Sequence, residues 1–338
     1  MPLATIQTGQ DRCYDLQGQE LPCPGSGQDG EFRSGLAWPE PRFLAHEQIV
    51  EDRLTGLFWS RDANPGGFPV TWSEALAAIA AMNRTRELGF ADWRLPNRRE
   101  LRSLMGHQSR QPALPTGHPF DNVFLGWYWT STSAAINPAY AWYVHLEGAR
   151  MFYGRKDQYY LYWPVRGESH ILPRTGQSAC YDQAGQMVPC RESGQDGELQ
   201  LGLAWPESRF GVGEEVVEDR LTGLIWLKNS DQAGRICDWR GALDYIAASN
   251  CTRPGGLTGW RLPDINMLES LVDCSQAAPA LPAHHPFTNL REGYWSATTS
   301  YFATDWAWVL YLQKGAVGVG HKPGATFHAW PVVDLENR

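Results

Sequence analysis

An α+β chain organised as two tandem domains is what the sequence predicts. The same motifs recur 167 positions apart, and within each copy helical periodicity gives way to strand alternation. The composition agrees: sixteen Trp, thirteen Tyr and twelve Phe accompany thirty-four Gly and twenty-three Pro, a mixture suited to many short strands joined by turns.

The repeat is read by subtraction. Cys13 and Cys23 return as Cys180 and Cys190, and Gly27-Gln28-Asp29-Gly30-Glu31 as Gly194-Gln195-Asp196-Gly197-Glu198. Val50 to Leu57 return as Val217 to Leu224, Trp93-Arg94-Leu95-Pro96 as Trp260-Arg261-Leu262-Pro263, and Trp163-Pro164-Val165 as Trp330-Pro331-Val332. The offset slips to 166 near Trp129 and Trp295 and is read as recovered by Gly148 and Gly315. A period of this size means globular domains rather than a solenoid, and 338 residues suit two of them. The copies are set at 1–167 and 172–338, with the junction near Glu168 to Pro173.

Each copy opens with a turn-rich hairpin, followed by a strand at Gly56 to Ser60. Thr71 and Glu74 then have capping-box spacing, and Trp72, Ala75, Leu76, Ile79 and Met82 form one helical face. In copy two Asp238 caps, with Trp239, Ala242, Leu243 and Ile246 on the stripe. A second helix follows Pro96, capped by Asn97 with Glu100 three later and turning Leu101, Leu104 and Met105 inward; its counterpart starts at Asp264 with Leu268 and Leu271. Gly126 to Thr132, Tyr140 to Leu146, Ala149 to Gly154 and Tyr159 to Val165 read as antiparallel strands.

Cys13 and Cys23, and Cys180 and Cys190, keep one spacing in equivalent segments without a second Cys/His pair at zinc spacing, so both read as disulfides. Closing so short a loop contributes about 2–3 kcal/mol in the chain-entropy model. Cys237, Cys251 and Cys274 belong to copy two alone; Cys237 and Cys251 flank its first helix and are candidates for a third pair, Cys251 can equally meet Cys274, and one of the three is left odd. Disulfides place the chain in the periplasm, at the cell surface or outside the cell, although Met1-Pro2-Leu3-Ala4-Thr5 lacks the pattern of a signal peptide. No stretch approaches the roughly 18 apolar residues of a membrane span. With 29 basic against 37 acidic residues, a net charge of −8 and no basic stripe, nucleic acid is not an expected partner.

Several motifs have plain structural readings. Trp93-Arg94 and Trp260-Arg261 read as a core indole beside a guanidinium bridging carbonyls or a carboxylate. Gly27-Gln28-Asp29-Gly30 lacks the alternating carboxylates of a calcium loop and reads as a turn. His118-Pro119-Phe120 and His285-Pro286-Phe287 read as turns with an anchoring Phe, and Asn83 and Asn250, both in glycosylation sequons, as helix C-caps. Zinc-protease, nucleophile-elbow and phosphate-loop signatures are missing, so neither catalysis, a metal nor a cofactor is expected.

The string Asp52-Arg53-Leu54-Thr55-Gly56-Leu57-Phe58-Trp59, then Trp72 with Glu74-Ala75-Leu76, Asp92-Trp93-Arg94-Leu95-Pro96-Asn97 with Glu100-Leu101, and Tyr128-Trp129-Thr130-Ser131-Thr132 resembles the bacterial Lcl C-terminal domain family. Copy two is similar through Asp219 to Trp226, Trp260 to Pro263 and Tyr294-Trp295-Ser296. The resemblance implies a C-type-lectin-like fold, related to that of formylglycine-generating enzymes and retroelement-diversified receptors. The cysteine pair those enzymes use late in the domain has no equivalent in either copy. The resemblance also implies a surface adhesin binding sulfated glycans, but the collagen-like repeat of that adhesin and a basic groove are both missing from this acidic chain.

In lectin-like folds the late sheet carries the ligand face, and here it is unusually rich in aromatic and charged residues. The candidate ligand-binding residues of copy one are Asn137, Tyr140, Tyr143, Arg150, Tyr153, Arg155, Lys156 and Asp157; those of copy two are Asp305, Trp306, Lys314, His321 and Lys322. Alternation sends about half of any strand inward, leaving the rest for recognition. The expected function is a non-catalytic extracellular binding or adhesion protein whose copies each recognise a glycan, another cell-envelope ligand or a surface protein. A structural or protein-interaction part in an exported assembly is the alternative.

Overall fold

The computed structural model describes residues 5–334. The first repeat forms β1 (Cys13–Tyr14), β2 (Glu20–Leu21), α1 (Asp29–Phe32), β3 (Phe43–His46), β4 (Ile49–Asp52), β5 (Leu57–Ser60), α2 (Trp72–Thr85), α3 (Arg98–Ser103), β6 (Trp127–Ser133), β7 (Tyr140–His145), β8 (Met151–Arg155) and β9 (Val165–Arg166). The second forms β10 (Cys180–Tyr181), β11 (Met187–Val188), α4 (Asp196–Leu199), β12 (Phe210–Val212), β13 (Val216–Asp219), β14 (Leu224–Leu227), α5 (Trp239–Thr252), α6 (Ile265–Ser270), β15 (Gly293–Thr299), β16 (Trp306–Tyr311), β17 (Ala316–His321) and β18 (Val332–Asp334). The architecture is α+β.

The helices α2, α3, α5 and α6 start where side chains satisfy their first amides. Thr71 and Glu74 close a full capping box on α2, and Asn97 with Glu100 does the same on α3. Asp238 accepts from the Gly241 amide at 2.7 Å and Asp264 from the Met267 amide at 2.9 Å, opening α5 and α6. The inward faces follow the stripes: Trp72, Ala75, Ile79 and Met82 are buried, as are Trp239, Ala242, Leu243 and Ile246. Leu76 is only half-buried. Asn83 and Asn250 are not C-caps; Arg86 and Arg253 occupy those positions in left-handed conformation. Each Asn instead clamps the backbone of the motif Trp. The Asn83 amide donates to Trp93 O at 2.7 Å while its oxygen accepts from Trp93 N at 2.7 Å, and Asn250 grips Trp260 at 2.9 and 2.8 Å.

Two sheets serve each domain. The late strands form the antiparallel meanders β6-β7-β8 and β15-β16-β17. The early strands form β3-β4-β5 and β12-β13-β14, and each of these sheets is completed by the end of its domain, β9 or β18. The expected strand Tyr159 to Val165 is therefore corrected: it contributes one isolated bridge to the late sheet, Leu161 to Tyr128, and Val165 joins β5 instead. Its pairing partner is more than a hundred residues upstream, a distance that alternation cannot see. The Gly148/Gly315 alignment is corrected too. Tyr140 faces Arg155 and Trp306 faces His321, so the offset remains 166 through β8 and β17. It returns to 167 only where Tyr160 bridges Val70 and Phe327 bridges Cys237, so the extra residue of the second copy lies in the loop after Lys322.

Both early disulfides are present, Cys13–Cys23 and Cys180–Cys190, with Cα atoms 5.2 and 5.1 Å apart. Cys237, Cys251 and Cys274 are free, so the candidate pairing of Cys237 with Cys251 does not form. The α5 helix separates the two by about 20 Å at 1.5 Å per residue, far beyond disulfide reach.

The sequence repeat and the compact unit divide the chain differently. One unit holds the residues up to Ala37 together with Trp205–Val272 and the chain from Ala277 on; the other holds Trp38–Ala204 with Asp273–Gln276. Each cystine hairpin thus packs within the unit built around the other repeat's domain. In the 38–204 unit, the Thr132 and Thr175 hydroxyls both donate to Asp196 Oδ2, at 2.6 and 2.7 Å, and Gln177 exchanges hydrogen bonds with the Ser133 backbone at 2.8 and 2.9 Å. The other unit repeats the scheme with Thr298 and Thr8 on Asp29 at 2.6 and 2.7 Å and Gln10 on Thr299 at 2.8 and 2.9 Å. A bulge between Trp129 and Ser133 breaks the alternation of β6, so that consecutive polar residues Thr130 to Ser133 are all buried and Thr132 and Ser133 both meet the hairpin.

Candidate functional site

The shared motifs prove to be scaffold. Asp52 accepts two hydrogen bonds from Arg42, at 3.0 and 2.9 Å, and one from Thr55 Oγ1 at 2.9 Å, and Asp219 holds Arg209 likewise at 2.9 and 2.7 Å. Trp93 is buried, and Arg94 grips Glu100 at 2.6 and 2.8 Å and the Gly167 carbonyl at 2.7 Å. Phe120 is buried against Trp163 with ring centroids 4.7 Å apart. In place of the expected turn, Gln28-Asp29-Gly30 opens the short helix α1, and the buried Asp29 carboxyl accepts from the Thr8 and Thr298 hydroxyls. Among the described residues no group of three His, Cys, Asp or Glu side chains is placed to hold a metal ion, and no helix is long and apolar enough to cross a membrane.

Lys156 and Lys322 are corrected from candidate ligand contacts to internal ties. Both are fully buried. Lys156 Nζ donates to Tyr181 O and Asp182 O, each at 3.2 Å, and lies 4.0 Å from the Trp72 ring centroid; Lys322 Nζ donates to Tyr14 O and Asp15 O at 3.2 Å and lies 4.1 Å from that of Trp239. Burial pushes both ammonium groups down to about 7, against the opposing pull of Asp182 on one and of Asp15 and Asp305 on the other. The hairpin turns, whose carbonyls face inward, are what these lysines recognise.

The remaining candidates fall on different surfaces. Tyr140 and Tyr153 share one face of β7-β8, edge to face at 5.9 Å, with Tyr153 also 5.2 Å from the buried Trp142. Exposed Asn137 sits in the turn between β6 and β7. In the second repeat Asp305 and His321 approach to 3.4 Å beside Trp306, while exposed Lys314 lies in the β16–β17 turn at the other end of the strands. These do not converge.

Tyr143 lies on the opposite face, and there the structure does assemble a surface. Trp127 stands across from His145 and Tyr143 from Phe152 in register. The Trp127 ring centroid is 4.3 Å from those of Tyr143 and His145 and 6.5 Å from that of Phe152, with the exposed Arg150 guanidinium 5.9 Å away. Tyr160 extends the row, 4.8 Å from Tyr143 and 4.7 Å from Trp129. Gly154 makes this closure possible: a Cβ there would stand 2.5 Å from the Tyr143 ring and 2.9 Å from that of Tyr160. Beyond Tyr160 the surface continues into a shallow depression lined by Arg155, Asp157, Gln158 and Tyr159, in which Arg155 and Asp157 pair at 2.6 Å and Tyr159 is 65% exposed. Trp127, Tyr143, Phe152 and Tyr160 are half-buried, locked at their bases and open at their outer edges.

The electrostatics of this row are those of a neutral platform. Burial, reinforced by the Arg150 charge, holds His145 below its usual range despite its 2.7 Å contact with Glu147 O. Burial and then Tyr160 push the Tyr143 hydroxyl up, and burial raises that of Tyr160, so both phenols stay protonated at neutral pH. Trp127 is not distinguishable by sequence because its strand position reads as core; the register that sets it beside Phe152 is the missing signal.

The second repeat lacks this surface. In register, Gly293, Val309 and Gly318 stand where Trp127, Tyr143 and Phe152 stand in the first. Phe327 closes the space, 4.8 Å from Trp295 and packed where a Cβ on Gly293 or Gly320 would fall, at 2.5 and 2.7 Å.

The family model described as the Lcl C-terminal domain matches residues 48–166 and again 215–333. No curated protein matches the chain.

Proposed function

From the chain's membership of the Lcl C-terminal domain family, which these two matches establish, we propose an extracellular, non-catalytic binding protein on a C-type-lectin-like scaffold. The first repeat binds a carbohydrate on the Trp127–Tyr143–Phe152 row. One observation carries the reading: four half-buried aromatic rings form a continuous row in one repeat, whereas in the other glycine and valine replace the three strand rings and only Phe327, the counterpart of Tyr160, remains aromatic. Flat rings with fixed bases present apolar area to the C–H face of a sugar at little entropic cost, while Arg150, Gln158 and the Arg155–Asp157 pair supply hydroxyl partners. The two disulfides fit an exported protein. In place of one site per copy, this proposal gives the chain a single glycan site.

A glycan array probed with the full chain tests it. Trp127→Ala should weaken every hit by roughly tenfold or more, with the melting temperature within about 3 °C of wild type. Hits unchanged by this substitution, or an array blank for the wild type, would remove the proposal.

A further inference from the structure

The aromatic row leaves unexplained a groove of about 710 Å³ within the 38–204 unit, between α2 and the α4 segment of the cystine hairpin. Its apolar wall is Leu76, Ala80, Leu199, Leu201 and the Trp93 edge. Its rim is acidic, with Asp92, Glu168, Glu192 and Glu198. The only cation among the lining residues, Arg94, is withdrawn into its buried pair with Glu100. At the mouth, Arg166 holds Asp92 at 2.8 Å and Arg191 meets Glu192 at 3.3 Å; Glu198 is turned into its own hairpin, accepting from the Glu192 and Gly194 amides, so three rim acids face these two arginines.

The second unit serves as an internal control. There Phe32 stands in place of Leu199, and the Arg261 guanidinium, whose neighbour is Met267 in place of Glu100, lies 5.5 Å over the Phe32 ring. Ser34 replaces Leu201, and Gly25 and Gly259 replace the acids Glu192 and Asp92. The groove thus combines three departures from the shared plan: a smaller side chain at its centre, an added leucine, and added carboxylates at its rim.

We propose that this groove docks a basic, amphipathic segment of a protein partner, with leucine-sized anchors entering between α2 and α4 and flanking Lys or Arg meeting the acidic rim. Its dimensions are those of a binding pocket and its chemistry that of helix-in-groove recognition. The site is separate from the aromatic row.

The test uses the full oxidised chain and a fluorescein-labelled peptide of about 14 residues, built of Leu at helical spacing with Lys elsewhere, beside the same peptide with Glu for Lys. The Lys peptide should bind, and Leu199→Phe, which installs the other hairpin's residue and fills the groove, should weaken it by roughly tenfold or more. Leu201→Ser and Glu192→Gly, also residues of the other hairpin, should each weaken it severalfold, and they keep the test decisive should Leu199→Phe fail to fold. The Glu peptide should not bind. Binding of the Lys peptide to folded variants at wild-type strength, equal binding of the Glu peptide, or no binding of the Lys peptide to the wild type would overturn the proposal.

Discussion

Replacing Asp196 with asparagine tests whether a cystine hairpin stabilises the domain of the other repeat. Asp196 is buried, and both hydroxyls that reach it, from Thr132 and Thr175, donate to the same oxygen. Burial is the main cause of its carboxyl rising from 3.8 to about 6, an effect that the two hydroxyls only partly offset. A carboxyl raised on folding gives stability that is complete below its unfolded pKa and lost as pH rises through the folded one. Above about pH 6 the ionised wild type is therefore about 3 kcal/mol less stable than it would be with the group neutral. Asparagine keeps an acceptor for the hydroxyls and has no charge to bury. The stability of the Asp196→Asn variant relative to wild type should thus improve by about 2.5 kcal/mol between about pH 4 and about pH 7.5. Urea melts at the two pH values measure the difference, and hydrogen exchange locates it. The change should fall within residues 38–204, which hold both the hairpin carrying Asp196 and the domain it caps. A pH-independent difference, or a change confined to residues 205–334, would refute the reasoning.

Two further predictions follow from the same contacts. Asn83→Ala strips partners from both backbone groups of the buried Trp93 and should cost about 2–4 kcal/mol in urea unfolding, as should Asn250→Ala at Trp260; a loss under about 0.5 kcal/mol would mean that water replaces the carboxamide. The fragment 38–204 holds a domain with the hairpin that caps it and should melt cooperatively as a monomer, whereas 1–167 leaves Thr132, Ser133 and Lys156 without their partners. Equal melting of the two monomers would show that either hairpin serves either domain.

Much of the scaffold is legible in the sequence because its causes are local. Thr71, Asn97, Asp238 and Asp264 open helices through atoms three residues away, and the hairpin disulfides close over ten positions. In the first copy the Trp-Arg motif reads as core for a similar reason, since its carboxylate, Glu100, is six residues from Arg94; in the second, Arg261 meets Asp334, 73 residues away. What stays hidden depends on partners distant in sequence. No repeat period reveals that Thr298 reaches Asp29, and no composition reveals that Lys156 turns inward to the carbonyls of Tyr181 and Asp182. Lys156 follows β8 directly, where alternation lapses, so its direction is set by the hairpin it binds. The aromatic row is half legible: Tyr143, Arg150 and Phe152 stand out by composition, but only the antiparallel register brings Trp127 beside them.

A crystal structure of the full chain soaked with its strongest array glycan tests the binding claim most directly. The account places sugar density over Trp127, Tyr143 and Phe152, with none over Gly293 and Phe327. Density on the second repeat's sheet, or away from both, would contradict it.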